Sequence, residues 1–187
     1  MKKFLFILCA LFSFTLYAQE SNDNLVVFKL DNTGLYKTIN GEDYYIIPFP
    51  NKTSDQIYQE LIQNITTVYV DAKKVLNTVE NKQINIRGYS ENIVTNKQLG
   101  IIVQWSGYYV IVIEIKDGRI KLHAPYVEDE ITALGGTASY SSVFKTNFKK
   151  GKFKSKCEEA LLSVQAEMNL TVNLILGAHK KENDNNW

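Results

Sequence analysis

From Val75 to Val127 polar and apolar residues largely alternate, and on either side lie segments in which apolar residues return every three or four positions. A period of two is the pattern of a strand with one buried face, and a period near 3.6 is that of a helix with one buried stripe. The alternating stretch predicts strands at 75–80, 83–90, 98–105, 108–116 and 119–127. Asp117-Gly118 reads as a two-residue hairpin turn, and Ser106-Gly107 reads as a second one. A further strand is predicted over Tyr44–Phe49, ended by Pro48 and Pro50.

The first helical segment covers Asn51–Asp71. Ile57, Leu61, Ile65 and Val68 share one face, which Tyr58, Ile62 and Tyr69 widen. Thr53 with Gln56 three residues on is a capping-box pattern, and Asp55 suits the positive end of a helix. The second segment covers Ser155–Leu176, with Cys157, Leu161, Val164, Met168, Val172 and Ile175 on one stripe. Ser155 and Glu158 suggest another capping box, and Gly177 a stop. Residues 19–42 read as an N-terminal strap with a short strand near Leu25–Phe28, residues 128–154 as a loop, and residues 179–187 as a polar tail. The expected architecture is a single α+β domain over residues 43–178. It has a curved antiparallel sheet of about five strands with two helices on one face, in the order β-α-β-β-β-β-α.

Two-residue turns at both hairpins would settle which side chains share a face. Ile102, Gln104, Tyr109, Ile111, Ile113, Ile115, Ile120, Leu122, Ala124 and Tyr126 would then look toward the helices. Ile101, Val103, Trp105, Tyr108, Val110, Val112, Glu114, Lys116, Arg119, Lys121 and His123 would look away, with Glu114 and Lys121 paired across the strands. Trp105, Tyr108, Val103 and Val110 would form an apolar aromatic patch. Such a patch meets a partner or ligand, meets a second copy of the chain, or is covered by the strap or the 128–154 loop.

The N-terminus changes where this fold is expected to reside. Lys2 and Lys3 precede an apolar run from Phe4 to Phe12 that continues with Phe14 and Leu16, and Ala18 is followed at once by polar residues. Residues 1–18 therefore read as a secretory signal, and the run is shorter than the roughly 20 residues a spanning helix needs. Cys9 lies inside the run and not at its end, so no lipid anchor is expected. Beyond residue 18 only Cys157 remains, so the exported protein, periplasmic or secreted, would be held by an ordinary core without an internal disulfide. Without Lys2 and Lys3 the chain keeps 19 basic residues against 20 acidic ones. That balance gives no overall attraction for nucleic acid or an anionic membrane, and no second segment predicts a membrane span.

Candidate chemistry is sparse. The histidines are His123, on a predicted strand, and His179, at the end of the last helix. Cys157 falls on a core stripe, so it reads as a small buried hydrophobe. The chain has no zinc-ligand spacing and no phosphate-cradling glycine loop, so no cofactor is expected. Carboxylates at Glu114, or at Asp129 with Glu130, are the groups an enzymatic alternative of the hydrolase type would use. Lys149 to Lys156, interleaved with Phe148 and Phe153, is the one basic aromatic run. It is either a solvated approach to the last helix or a contact for anionic lipid or polysaccharide.

Several motifs between Tyr44 and Val127 occur together: Ile47-Pro48-Phe49, then Asn51-Lys52-Thr53-Ser54, Ile57-Tyr58, Gly88, and the Gly100–Trp105 strand with the hairpins beyond. In these the chain resembles domain-of-unknown-function family 4468, whose fold is TATA-binding-protein-like and whose members look like exported proteins of Bacteroides-type bacteria. The resemblance implies the sheet-and-helix domain expected above. It implies no activity and no catalytic residues, and the DNA-binding role of the fold's namesake does not follow from it. The function expected is that of a non-catalytic envelope protein that binds an unidentified protein or envelope ligand, or that self-associates as a dimer.

Overall fold

The computed structural model of the chain describes residues 25–98, 100–149 and 152–178. The expected signal at residues 1–18, the start of the strap and the tail at 179–187 lie outside them. The centre of the fold is one long antiparallel pair, β5 (Gln83–Gln98) and β6 (Ile101–Lys116), of 16 residues each. Ser106 and Gly107, expected to form a turn, lie within β6, and the chain reverses instead between Gln98 and Ile101. Gly107 is there for space and not for turning. A Cβ at this position would stand 2.9 Å from the Cγ2 of Ile131 on the neighbouring strand.

On its far edge β6 changes neighbour along its length. Ser106 to Val110 pair with β8 (Tyr126–Ala133), and Ile113 to Lys116 pair with β7 (Arg119–His123) across the Asp117-Gly118 turn, as expected there. Ala124 and Pro125 separate β7 from β8, and a proline has no N–H to give to a ladder. β3 (Tyr44–Pro48) extends the sheet beyond β7, β9 (Gly136–Ser139) beyond β8, and β4 (Leu76–Val79) beyond β5. The result is a seven-stranded antiparallel sheet, larger than the roughly five strands expected.

Two main helices, α1 (Ser54–Val68) and α4 (Ser155–Ile175), cover one face. α2 (Ala72–Val75) is a single turn between α1 and β4. The α1 capping box forms: Thr53 Oγ1 accepts from the Gln56 N–H at 3.3 Å, and Gln56 Oε1 accepts from the Thr53 N–H at 2.9 Å. α4 opens one residue earlier than the box expected at Ser155, with Lys154 at the N-cap. Gly177 ends α4 at φ 75°, with the Gly177 N–H on the Leu174 carbonyl and the Ala178 N–H on that of Asn173, both 3.0 Å. Ile57, Leu61 and Ile65 of α1 meet Met168, Val172 and Ile175 of α4 over Ile84, Ile86, Ile111, Ile113, Ile120 and Leu122 of the sheet. Cys157 is buried, as its stripe predicted.

The segment expected to be a loop is structured. It holds most of β8, then β9, α3 (Tyr140–Lys145), and a small hairpin of β10 (Phe148–Lys149) and β11 (Lys152–Phe153). Tyr140, Val143 and Phe144 are buried, so this segment adds to the core and does not merely connect.

The strap is a short hairpin, β1 (Phe28–Leu30) with β2 (Tyr36–Thr38), and its outer strand lies along α4. Three amide side chains spaced four residues apart on α4 serve alternate residues of that strand and of the segment just before it. Asn173 bonds both the N–H (2.9 Å) and the carbonyl (2.8 Å) of Val26, and Asn169 those of Phe28 (2.9 and 3.0 Å). Gln165 Oε1 accepts from the Leu30 N–H at 2.9 Å. The match is geometric. Four helical residues rise about 6 Å and two strand residues about 6.6 Å, so a row of amides on a helix can take the place of a neighbouring strand. Neighbouring buried side chains, Val26 and Phe28, add apolar contact to the same attachment.

Two outcomes are expected. Gly88 pairs with Tyr109, and a Cβ there would come within 2.3 Å of the Tyr109 ring, whose hydroxyl lies 3.0 Å from that of Tyr69. Gly88→Ala should therefore cost about 1–3 kcal/mol in urea unfolding, with part of the loss recovered by adding Tyr109→Leu. Asn173→Ala should orphan the buried Val26 main chain, cost about 1–3 kcal/mol, and make the strap the first segment cut in limited proteolysis.

Candidate functional site

Because β6 is continuous, its odd-numbered residues from Val103 to Ile115 face the helices. Val103 and Trp105 therefore lie in the core with Tyr109, Ile111, Ile113 and Ile115. Trp105 Nε1–H donates to Asn96 Oδ1 at 3.0 Å, and Asn96 donates onward to Thr146 Oγ1 at 3.1 Å. The patch expected from Trp105, Tyr108, Val103 and Val110 is thus divided between two faces. Tyr108 and Val110 remain on the side away from the helices, whereas Ile102 and Gln104, expected to face the helices, are exposed. The misplaced turn inverted every side chain N-terminal to it, as a one-residue slip in register does. Tyr126, expected in the core, also faces outward, because the break at Ala124-Pro125 resets the alternation of β8 against β6, where Tyr126 pairs with Val110.

The open face so formed carries a band of tyrosines at about half exposure. Tyr44 comes from β3, Tyr89 from β5, Tyr108 from β6 and Tyr126 from β8. Tyr89 and Tyr108 meet edge to face with centroids 5.2 Å apart. Arg87 stacks on Tyr108 at 3.6 Å and binds Glu128 through two parallel hydrogen bonds of 2.6 and 2.8 Å, so its guanidinium is fixed in plane and charge. At the other end Lys121 stands 4.5 Å from the Tyr44 ring and 3.9 Å from Glu114, the pairing expected from the hairpin. Periodicity marked Tyr108 alone among these tyrosines. Arg87, Tyr89 and Tyr44 join it through pairings between strands that no local pattern specifies.

Between the two ends a groove of about 410 Å³ opens where β7 gives way to β8. Val112, Glu114, His123, Pro125 and Tyr126 line it, with Leu35 and Asp43 beside the strap. His123 Nε2 lies 2.6 Å from Glu114 Oε1. This contact, reinforced by the charges of Lys121 and Lys116, holds the Glu114 carboxyl below the ordinary carboxylate range. A carboxyl held ionised in this way is a poor general acid at neutral pH. Asp129 is engaged elsewhere, accepting from the Ser139 hydroxyl at 2.9 Å and the Ser141 N–H at 3.2 Å at the start of α3. Cys157 is buried on α4, and His179 lies outside the described residues. Among the described residues no cluster of three His, Cys, Asp or Glu is placed to hold a metal ion, and no helix is long and apolar enough to cross a membrane.

Comparison with known proteins agrees with this architecture. Residues 44–127, the span of the resemblance noted in the sequence, match the family described as a domain of unknown function (DUF4468) with TBP-like fold. The chain is similar to a solved DUF4468 family protein from Bacteroides ovatus at 13% identity, with a TM-score of 0.52 over 87% of this chain and 99% of that one. A TBP-like protein from Parabacteroides distasonis matches at 14% identity, with a TM-score of 0.46 over 74% of this chain and 91% of that one. No curated protein matches the sequence. At such identity the Bacteroides ovatus structure speaks to the fold alone.

The lowered Glu114 carboxyl makes a pH prediction. Its pairing contributes stability above the unfolded glutamate value of about 4.3, and that contribution is lost as pH falls through the still lower folded value. Glu114→Gln should therefore lose less stability than the natural chain between about pH 7 and about pH 3, measured by urea midpoints. An equal loss in both would mean that the pair adds no net stability.

Proposed function

We propose, on the premise that residues 44–127 are a DUF4468 domain with TBP-like fold, that this chain is exported and acts as a non-catalytic binding module whose open sheet face holds an extended polypeptide. The observation that carries the proposal is the band of half-exposed tyrosines around the groove. Tyrosine provides a large rigid contact area with a polar tip at small entropic cost, which suits a face that must stay soluble when empty. The groove falls in the size range of ligand pockets, roughly 300–1,000 Å³, and gives a place for one anchoring side chain. Glu114 and Glu128 on the same face disfavour nucleic acid, whose phosphates they would oppose, and the near-neutral charge agrees. Export rests on the Lys2-Lys3, apolar run and Ala18 sequence at the N-terminus.

Selection of a phage-displayed peptide library on the purified chain tests the reading. Enriched peptides are expected to bind at least about tenfold more weakly to a Tyr108→Ser/Tyr126→Ser variant of unchanged circular dichroism, as loss of central aromatic anchors does. Absence of enrichment, or equal binding to the variant, would overturn it. A dimer in light scattering that Tyr108→Ser dissolves would instead assign the face to a second copy of the chain.

A further inference from the structure

One end of the molecule gathers three hairpin turns. β5 and β6 reverse between Gln98 and Ile101, β8 and β9 reverse after Ala133, and β10 with β11 makes the third hairpin. The registers show how close they are. Ser106 of β6 pairs with Thr132 of β8, so Leu134 lies alongside β6 near position 104, about 10 Å from Ile101 at ~3.4 Å per residue. The Asn147 side chain donates to the Thr95 carbonyl at 2.9 Å, which brings the third hairpin beside the first, three residues from its end.

These turns expose large aliphatic side chains. Ile101 is 67% exposed, Ile102 69% and Leu134 91%. Leu134 takes φ 51°, a left-handed conformation that glycine or asparagine enters more easily, so leucine is a poor residue for the turn itself. The segments that build these turns carry charge of a single sign. Residues 92–113 contain Lys97 and no other charged residue, and residues 131–157 contain six lysines and no acidic residue. Lys97 pairs directly with Ile102 across the strands, and Lys97, Lys145 and Lys152 are exposed. The chain is near neutral overall because all 20 of its acidic residues lie outside these two segments.

We propose that this end of the molecule docks on an anionic lipid bilayer, with Ile101, Ile102 and Leu134 entering the interface and the surrounding lysines lying against the headgroups. Apolar area and local positive charge are the two contributions that hold a protein on such a surface. The geometry favours a membrane over a second copy of the chain. The three aliphatic side chains stand exposed at hairpin turns, and a two-fold pairing of this end would set lysines against lysines. It also gives the basic aromatic run a role that a merely solvated helix approach would not. The inference is independent of the open tyrosine face, which lies along the body of the sheet.

The test is fluorescence and flotation of the full-length protein with vesicles of phosphatidylcholine alone and of two parts phosphatidylcholine to one part phosphatidylglycerol. The apolar N-terminal run can itself enter lipid, so the readout is placed at the tip. Ile102→Trp is compared with Val79→Trp, which sits at the opposite end of the β5–β6 pair and is also exposed. The expected result is a blue shift and quenching by brominated lipid for Ile102→Trp alone, only with the anionic vesicles and diminished by salt. Lys97→Glu/Lys145→Glu/Lys152→Glu, with an unchanged urea midpoint, should weaken the tip signal by about tenfold or more. Equal responses from the two tryptophans, no dependence on phosphatidylglycerol, or no effect of the charge reversal would each overturn the proposal. A tip signal that follows protein concentration without lipid would assign the end to self-association.

Discussion

The register of β5 against β6 is the constraint on which the rest of the molecule depends. With side chains alternating every residue, one continuous pairing from Gln83↔Glu114 to Gln98↔Ile101 decides the facing of both strands and, through them, of β4, β7 and β8. The one irregularity, between Ser90 and Val94, sets three residues of β5 opposite Ser106 alone. That is an excess of two, so the bulge bends the pair without exchanging its faces. Ile84, Ile86, Val94 and Asn96 therefore all point toward the helices, and Arg87 toward the open side.

What closes over the helix side is partly apolar and partly polar. The stripe of α4 packs onto the sheet, while its amide row holds the strap by main-chain hydrogen bonds. Asn64 of α1 reaches the other way, donating to the Ile175 carbonyl at 3.0 Å near the end of α4. Each of these amides is buried or partly buried and satisfies main-chain groups that would otherwise be unpaired, which is how polar residues are accommodated in a core. The sheet's second face needs no such cover, because its tyrosines, its Arg87–Glu128 pair and its Glu114–His123 pair can face water.

The fold therefore separates its surfaces by chemistry. A broad amphipathic face lies along the sheet, and a small basic and aliphatic end projects from its hairpins. The acidic residues lie outside the two segments that build that end, and Glu114 and Glu128 on the open face are engaged by basic partners there. A near-neutral total charge is thus compatible with segments whose only charged residues are lysines.

The sequence by itself determined the elements whose signals are local. The α1 capping box, the apolar stripes of both long helices, the Asp117-Gly118 turn and the helix-facing residues from Tyr109 to Leu122 depend on spacing within one segment, and all are seen. The mixed sheet-and-helix class followed from them. Only the tertiary structure decided the rest, because it turns on contacts between distant segments. Ser106-Gly107 has the composition of a turn, but Ile131 occupies the space that Gly107 leaves, and so Trp105 is inside. The segment 128–154 has weak periodicity, yet Tyr140 and Phe144 find buried places against other elements. Gln165, Asn169 and Asn173 look like ordinary polar positions until a strand of matching rise lies beside them. No single segment contains either candidate surface, because strand pairing and hairpin packing assemble both.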